Sequence, residues 1–341
     1  MTQRIGHYDI LSAVMLLLMM HHHICGICGL VDAPIHMVPY ELLYFYMAYF
    51  FFKAGIFYHP DKSFKEVCFN SARRLLVPFA IFTIIGYVWF GAQQANLSPQ
   101  EWKYWWWPLR QVFAVGRVEG NGPLWFLLSL FMVRVIFQTT KGNKWVQIAM
   151  IILCFSVAIL GNHYSIRPRT ISNVALGIFF YGLGYLLRDA QYDKRVGIAS
   201  VCLFVATYIW MSVFGWHLID FSFNTTVLGI HPVWMINCVS ACVAVNYLGK
   251  FIPNMPILSW LGRNSMTFLC IHVLVRDAIC TYWLGPASMP SYTNLAIYWI
   301  GIIVVCTIMS YVLNNKFFCW MIGARSPIEQ GLLQRDNVQQ G

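Results

Sequence analysis

The sequence predicts an all-α integral membrane protein, a polytopic helical bundle of about ten transmembrane helices with both termini in the cytoplasm. Three observations predict this class. Of the 341 residues, 59% are hydrophobic and only 11% are charged, whereas a soluble domain carries about 25% charged residues. Apolar runs recur along the chain, and a run of about 20 residues can cross a hydrocarbon core roughly 30 Å thick. Lys and Arg are concentrated in alternate loops, as is typical of multi-pass membrane proteins.

The apolar runs place the predicted spans in order along the chain. We expect them at residues 10–31, 39–58, 75–92, 123–139, 146–161, 170–188, 196–215, 227–248, 257–284 and 294–314. The ninth is expected to open with a short interfacial segment around Leu258 and to cross the membrane from about Ser265. No small-residue cleavage site follows the first run, so we expect that run to remain as a span. Residues 1–323 then form one transmembrane domain, and residues 324–341 form a polar cytoplasmic tail.

Loop charge predicts the orientation. With the N-terminus inside, the inside segments hold 15 of the 23 Lys and Arg residues and the outside segments hold 5, in line with the cation excess of cytoplasmic loops. The net charge of +10 is therefore attributed to topology in the inner membrane and not to a nucleic-acid partner. Most of the eleven cysteines lie in apolar runs, where Cys behaves as a small hydrophobe, and we predict no structural disulfide.

The first span contains three adjacent histidines, His21, His22 and His23. Ionisable side chains inside a span are costly and therefore mark candidate functional sites. Successive helical residues are rotated by about 100°, so the three imidazoles point to different faces and cannot all bind one metal ion. A metal or haem site that adds Cys25 and Cys28 is an alternative, which we disfavour because neighbouring small residues are common at contacts between membrane helices.

A neutral imidazole inside the bundle can act as a general base towards a hydroxyl group. Asp9 lies 14 residues before His23, roughly 21 Å along a helix, so a carboxylate that orients His23 has to come from another span. The sequence does not separate the candidates for that role, which are Glu41, Asp220 and Asp277.

Two outer segments are candidates for contact with an acceptor. The long loop at 93–122 contains Trp105, Trp106 and Trp107, which either form an aromatic belt at the membrane interface or stack on a sugar. His36 lies in the predicted short outer loop after the first span and is a further candidate for sugar contact.

Short motifs follow one another in a defined order. They are Arg4 with Asp9, Leu11 and His23; Tyr46–Gly55, which reads YMAYFFFKAG; Arg73 and Arg74 before Leu75-Leu76-Val77-Pro78; Gly122–Leu127, which reads GPLWFL and contains Trp125; and Leu261–Ser265, which reads LGRNS, followed by His272. In these motifs the chain resembles, over nearly its full length, the acyltransferase-3 family of bacterial membrane O-acyltransferases and its polysaccharide- or fucose-O-acetylase-like branch. It departs from the family pattern at Ser12, where the family has Arg or Lys, at Tyr46, which replaces His, at Ala54, which replaces Ser, and at Ser71, which replaces Arg.

The resemblance implies an O-acetyltransferase that takes acetyl from acetyl-CoA on the cytoplasmic side and transfers it to a hydroxyl of a cell-surface or exported glycan. It implies that His23 is catalytic, as a general base or a transient acyl carrier, with Asp9 in the same motif. The implied donor-binding residues are Arg4, Lys53, Arg73 and Arg74. The implied acceptor-side or structural residues are Tyr46, Gly55, Trp125 and His272.

Some of these roles have alternatives. Lys53 either snorkels to the cytoplasmic face or supplies the cation that is missing at Ser12. Arg73 and Arg74 either form an ordinary positive-inside flank or bind the donor phosphates. The expected partners are the acyl-CoA donor, the glycan and the lipid bilayer, with no bound cofactor or metal. The alternative function is a transporter or flippase that moves a polysaccharide or small anion without acyl transfer.

Overall fold

The computed structural model describes residues 6–93, 106, 109–112, 114, 120–163, 169–214, 232–285 and 289–324. Within these ranges the chain is all-helical, with 83% helix and no strand, which confirms the predicted all-α class. In chain order the helices are α1 (Gly6–Ile27), α2 (Pro34–Leu43), α3 (Tyr46–Ile56), α4 (Phe64–Ser71), α5 (Val77–Gln93), α6 (Trp125–Gln138), α7 (Lys144–His163), α8 (Arg169–Leu186), α9 (Lys194–Val213), α10 (Pro232–Gly249), α11 (Pro256–Arg263), α12 (Ser265–Ile279) and α13 (Tyr292–Leu313).

Short turns of other helical types join or extend these helices. π-helical turns at Ala72–Leu76 and Cys280–Leu284 connect α4 to α5 and extend α12. 3₁₀ turns occur at Gly122–Leu124, Ala190–Tyr192 and Cys319–Ile322. All eleven cysteines are free thiols.

Five helical segments of the described chain are long and apolar enough to cross a membrane. They are Gly6–Ile27, Phe64–Gly91, Lys194–Val213, Ser265–Leu284 and Tyr292–Leu313. Four shorter apolar helices accompany them, at Gly122–Gln138, Lys144–Leu160, Thr170–Leu186 and Val233–Gly249. These segments indicate a multi-pass membrane protein, while the total of ten spans and the cytoplasmic position of both termini stay predictions.

The predicted second span, 39–58, is wrong as a single helix. α2 ends at Leu43 and α3 begins at Tyr46. At the break the Tyr44 hydroxyl donates to Asn237 Oδ1 on α10, and Phe45 is 1% exposed. The break therefore turns both aromatic side chains into the bundle, which hydropathy does not reveal because the flanking residues are equally apolar.

The span predicted at 75–92 matches α5, which begins at Val77, but the helical run that contains it begins earlier, at Phe64. Its start is capped by Ser63, whose Oγ accepts the Glu66 amide at 3.1 Å, in the Ser-x-x-Glu pattern of a capping box. The helix then passes through the π turn at Ala72–Leu76, which carries the two adjacent arginines, Arg73 and Arg74. The ninth predicted span has the expected form, since the short α11 precedes α12 and α12 begins at Ser265.

α1 is the axis of the bundle. It packs against α2, α3, α10, α11, α12 and α13, and 61% of its apolar window is buried, compared with 11% for α9. A Cβ atom at Gly262 of α11 would overlap the carbonyl of Asp9, so these two helices approach backbone to backbone, as small residues allow in membrane proteins.

A similar close approach fixes α3 against α8. A Cβ atom at Gly55 would overlap the Tyr181 carbonyl, and one at Gly184 would overlap the Phe52 carbonyl. Gly55 therefore has a structural role, because a larger residue would separate the helices. Because the crossing fixes α3, it also fixes the position along α1 that Lys53 of α3 contacts.

Candidate active site

Both ring nitrogens of His21 are engaged in hydrogen bonds between helices. Its Nε2 donates to the Ile35 carbonyl at 2.9 Å, because a carbonyl oxygen can only accept. Its Nδ1 then accepts the indole N–H of Trp299 at 3.3 Å. His21 therefore joins α1 to α2 and α13, with neither ring nitrogen left for chemistry.

His22 belongs to a directed pair with His36. His36 Nδ1 donates to the Val31 carbonyl at 2.7 Å, so Nε2 of a neutral His36 is an acceptor. It accepts the Nδ1 proton of His22 at 3.0 Å, and the His22 ring stacks on Tyr40 with centroids 4.7 Å apart. The expectation that His36 contacts a sugar from an outer loop is wrong, because the residue lies in α2 and is only 1% exposed.

His23 faces α12. Its ring centroid lies 5.4 Å from that of His272, which is fully buried. His272 Nδ1 donates to the Phe268 carbonyl at 2.8 Å, and His272 Nε2 has no hydrogen-bond partner among the described residues. The structure thus brings a residue of the LGRNS motif region directly against the predicted catalytic histidine.

A charged pair holds the backbone of His23. Arg276 Nη2 lies 2.6 Å from Asp277 Oδ1, and Arg276 Nη1 donates to the main-chain carbonyl of His23 at 3.4 Å. Asp277 is therefore linked to His23 through Arg276 and the main chain. Asp220, another of the candidate carboxylates, lies outside the described residues.

Five of the ten histidines form one row of rings. Neighbouring centroids are separated by 5.4 Å for His272 and His23, 5.6 Å for His23 and His22, 5.2 Å for His22 and His36, and 6.2 Å for His36 and His21. Within the described residues no group of three or more His, Cys, Asp or Glu side chains is arranged to hold a metal ion. The four ring pairs are tilted, with interplanar angles of 32–59°, and His22 and His36 are hydrogen-bonded.

The GPLWFL motif supports α12 next to His272. Asn121, directly before the motif, is fully buried, and its Nδ2 donates to the Cys270 carbonyl at 2.9 Å. Trp125 begins α6 and is 7% exposed. These contacts give the motif a structural role, since they fix the part of α12 that carries His272.

Lys53 meets the first half of α1. Its Nζ donates to the Tyr8 carbonyl at 3.1 Å and to the Ser12 hydroxyl. Ser12 Oγ donates to the same carbonyl at 2.6 Å. Position 12 is where the resemblance calls for a basic residue, so the ammonium group of Lys53 lies at the position of the missing cation.

A buried polar network supports this contact. The hydroxyls of Tyr8 and Tyr192 are 2.5 Å apart, and Gln191 Nε2 donates to Tyr8 Oη at 3.1 Å. Asn246 Nδ2 donates to Gln191 Oε1 at 2.9 Å and its Oδ1 accepts from Tyr49 at 3.1 Å. The network joins α1, α3, α10 and the Ala190–Tyr192 turn, so the backbone around Tyr8 is held from several sides.

A cation-lined cavity of about 390 Å³ lies at the predicted cytoplasmic end of the bundle. Among the described residues its lining includes Lys62, Arg73, Arg74 and Arg134, with Glu66 as the one acidic residue. The volume lies within the range of about 300–1,000 Å³ that is usual for ligand pockets. Arg134 was not predicted as a donor contact, although an arginine within an apolar helix was the available signal.

An apolar cavity of about 90 Å³ lies deeper in the bundle. It is lined by Leu16, Met19, Met47, Phe50, Leu75, Phe126, Leu127, Leu130, Ser265, Met266 and Leu269. Leu75 directly follows Arg74, while Met19 and Leu269 lie one helical turn before His23 and His272 on the same helix faces. Consecutive residues, Arg74 and Leu75, therefore line the two cavities, and the apolar cavity shares α1 and α12 with the His23–His272 pair.

The other residues predicted for the site lie in different parts of the structure or outside its described residues. α1 is continuous over Gly6–Ile27, so Asp9 stays at the opposite end from His23 and does not join the histidine pair. Tyr46 is buried, and its ring centroid lies 6.0 Å from that of Tyr40, the residue that stacks on His22. Arg4, Trp105 and Trp107 lie outside the described residues, and the Trp106 side chain is exposed.

Comparison with known proteins gives one match. The family model described as an acyltransferase domain matches residues 6–314, a range that includes every helix from α1 to α13. No curated protein and no solved structure gives a significant match.

Proposed function

Because the chain belongs to the acyltransferase domain family, we propose that this membrane acyltransferase is an inner-membrane O-acetyltransferase. It takes acetyl from acetyl-CoA on the cytoplasmic side and transfers it to a hydroxyl of a cell-surface or exported glycan. The observation that carries the proposal is a cation-lined cavity and an apolar cavity that are lined by the consecutive residues Arg74 and Leu75, together with the half-buried His23 ring beside the buried His272 ring.

The cation-lined cavity suits the phosphate end of the donor. Arginine binds phosphate through paired N–H groups, and Arg73, Arg74 and Arg134 reach this cavity from two helical segments. Leu75 continues the wall of the neighbouring apolar cavity. In the proposed complex the pantetheine arm lies along this route and brings the thioester to His23.

His23 is proposed to act as the general base. The acceptor oxygen attacks the thioester carbonyl carbon while the hydroxyl proton passes to the His23 imidazole. The carbon–sulfur bond then breaks, and the departing thiolate takes that proton to give the free thiol. A positioned base of this kind contributes about 10²–10⁴-fold to the rate, and the Arg276 contact with the His23 carbonyl helps to hold the helix in place.

The test is consumption of radiolabelled acetyl-CoA by the purified protein in detergent, with a glycan extract as acceptor. We expect label transfer, or slow hydrolysis in the absence of acceptor, and loss of both in the His23→Ala variant. If the wild-type protein consumes no donor but moves a glycan or anion across vesicles, the transporter alternative is correct and the proposed function is wrong.

A further inference from the structure

The His272 imidazole has a fixed tautomer and an unsatisfied nitrogen. Nδ1 must carry the proton because it faces the Phe268 carbonyl at 2.8 Å, and a carbonyl only accepts. In the neutral ring Nε2 is therefore a bare acceptor. It is fully buried and lacks a hydrogen-bond partner among the described residues, and such orphan acceptors are rare because their desolvation is not compensated.

The neighbour of this orphan nitrogen is His23. The two ring centroids lie 5.4 Å apart with the ring planes inclined at 39°, so the rings are adjacent and rotation of the His23 side chain can direct one of its nitrogens at His272 Nε2. Catalytic hydrogen bonds are often loose without substrate and tighten in the reacting complex. In a serine-protease triad the acceptor that orients the catalytic imidazole is a carboxylate, whereas here the ring beside His23 is another imidazole.

We propose that His272 is the positioning residue of His23. Its Nε2 accepts the N–H of the His23 imidazole in the reacting complex, which directs the other His23 nitrogen towards the acceptor hydroxyl. When His23 takes the hydroxyl proton, the same bond stabilises the imidazolium until the proton passes to the thiolate. His272 itself gains and loses no proton in this cycle. The inference rests on the proposed acyl transfer and names the residue that orients its base.

The test compares His272→Gln with His272→Leu. Gln retains an acceptor atom near the position of Nε2, whereas Leu removes it at similar volume. Partners that orient a metal-bound histidine contribute about 10–100-fold to affinity or activity. We expect an effect of the same order here, so that His272→Leu lowers kcat with an unchanged KM for acetyl-CoA. His272→Gln is expected to recover most of the lost kcat, which a purely packing role would not produce.

The outcomes separate this inference from the proposed function. Loss of activity in His23→Ala together with normal kcat in His272→Leu would overturn the positioning role alone. Equal losses in His272→Gln and His272→Leu, with both proteins folded, would also overturn it. If the Leu variant does not fold, His272→Asn replaces it, since the shorter amide mimics Nδ1, and equal activity of the Asn and Gln variants would contradict the proposal.

Discussion

The contact between Lys53 and Ser12 yields the most specific prediction for donor use. If Lys53 supplies the cation that the family pattern has at position 12, then Lys53→Met removes that cation and its hydrogen bonds to the Tyr8 carbonyl and the Ser12 hydroxyl. A hydrogen bond to a charged group contributes about 1.5–3 kcal/mol, which corresponds to about 10–150-fold in an equilibrium or rate ratio. We therefore expect kcat/KM for acetyl-CoA to fall by about that factor.

The structure indicates that this substitution should be tolerated by the fold. The Tyr8 carbonyl keeps the 2.6 Å hydrogen bond from Ser12, so this buried acceptor stays paired after loss of the ammonium group. A matched exchange, Lys53→Ser with Ser12→Lys, returns one ammonium group and one hydroxyl to the same contact. Because the summed side-chain volume is conserved, the exchange is expected to recover donor use.

The assay is the initial rate against acetyl-CoA concentration for the wild type, the single variant and the exchange. Unchanged kcat/KM in Lys53→Met would refute the reasoning and favour the alternative that Lys53 snorkels to the cytoplasmic face. Loss in the single variant with no recovery in a folded exchange variant would show that the position of Lys53 on α3, and not the local charge, is what matters.

Two further predictions concern the cation-lined cavity and the helix crossing. Replacing Arg73 and Arg74 together by Gln should raise KM for acetyl-CoA by about tenfold or more, since a phosphate contact of about 1.4 kcal/mol corresponds to a factor of ten. The control is Lys144→Gln, at an exposed residue away from the cavity. Equal effects of the control and the double variant on KM would contradict the phosphate role. Gly55→Ala should lower the free energy of unfolding by about 1–3 kcal/mol through overpacking. Gly26→Ala, where a Cβ meets no atom within 4 Å, should not lower it. Thermal unfolding in detergent measures both variants, and equal melting temperatures would contradict the close approach of α3 and α8 at Gly55.

The hydropathy patterns were sufficient for the all-α class and for the placement of most helices. They gave the start of α12 at Ser265 correctly because the short α11 ends at Arg263 and Asn264 separates the two helices. They missed the break at Tyr44, whose cause is a hydrogen bond to Asn237 almost two hundred residues later. They also missed the early start of α4, although the Ser63 and Glu66 pattern was present in the sequence.

The candidate site was predictable only in part. Motif order selected His23 and included His272, but their contact depends on how α1 packs against α12, which no local pattern encodes. Helical rotation separated His21, His22 and His23 correctly onto different neighbours. It could not anticipate that His36 would join them, because residues after the first span were expected to form a loop.

The central claim is that the protein transfers acetyl with His23 as the reacting imidazole. The most direct measurement is the O-acetyl content of the native glycan in cells that carry either the wild type or His23→Ala, with membrane insertion of both proteins checked by fractionation. The account predicts that the variant inserts normally and that O-acetylation is abolished. Near-normal O-acetylation in cells with the variant would contradict it.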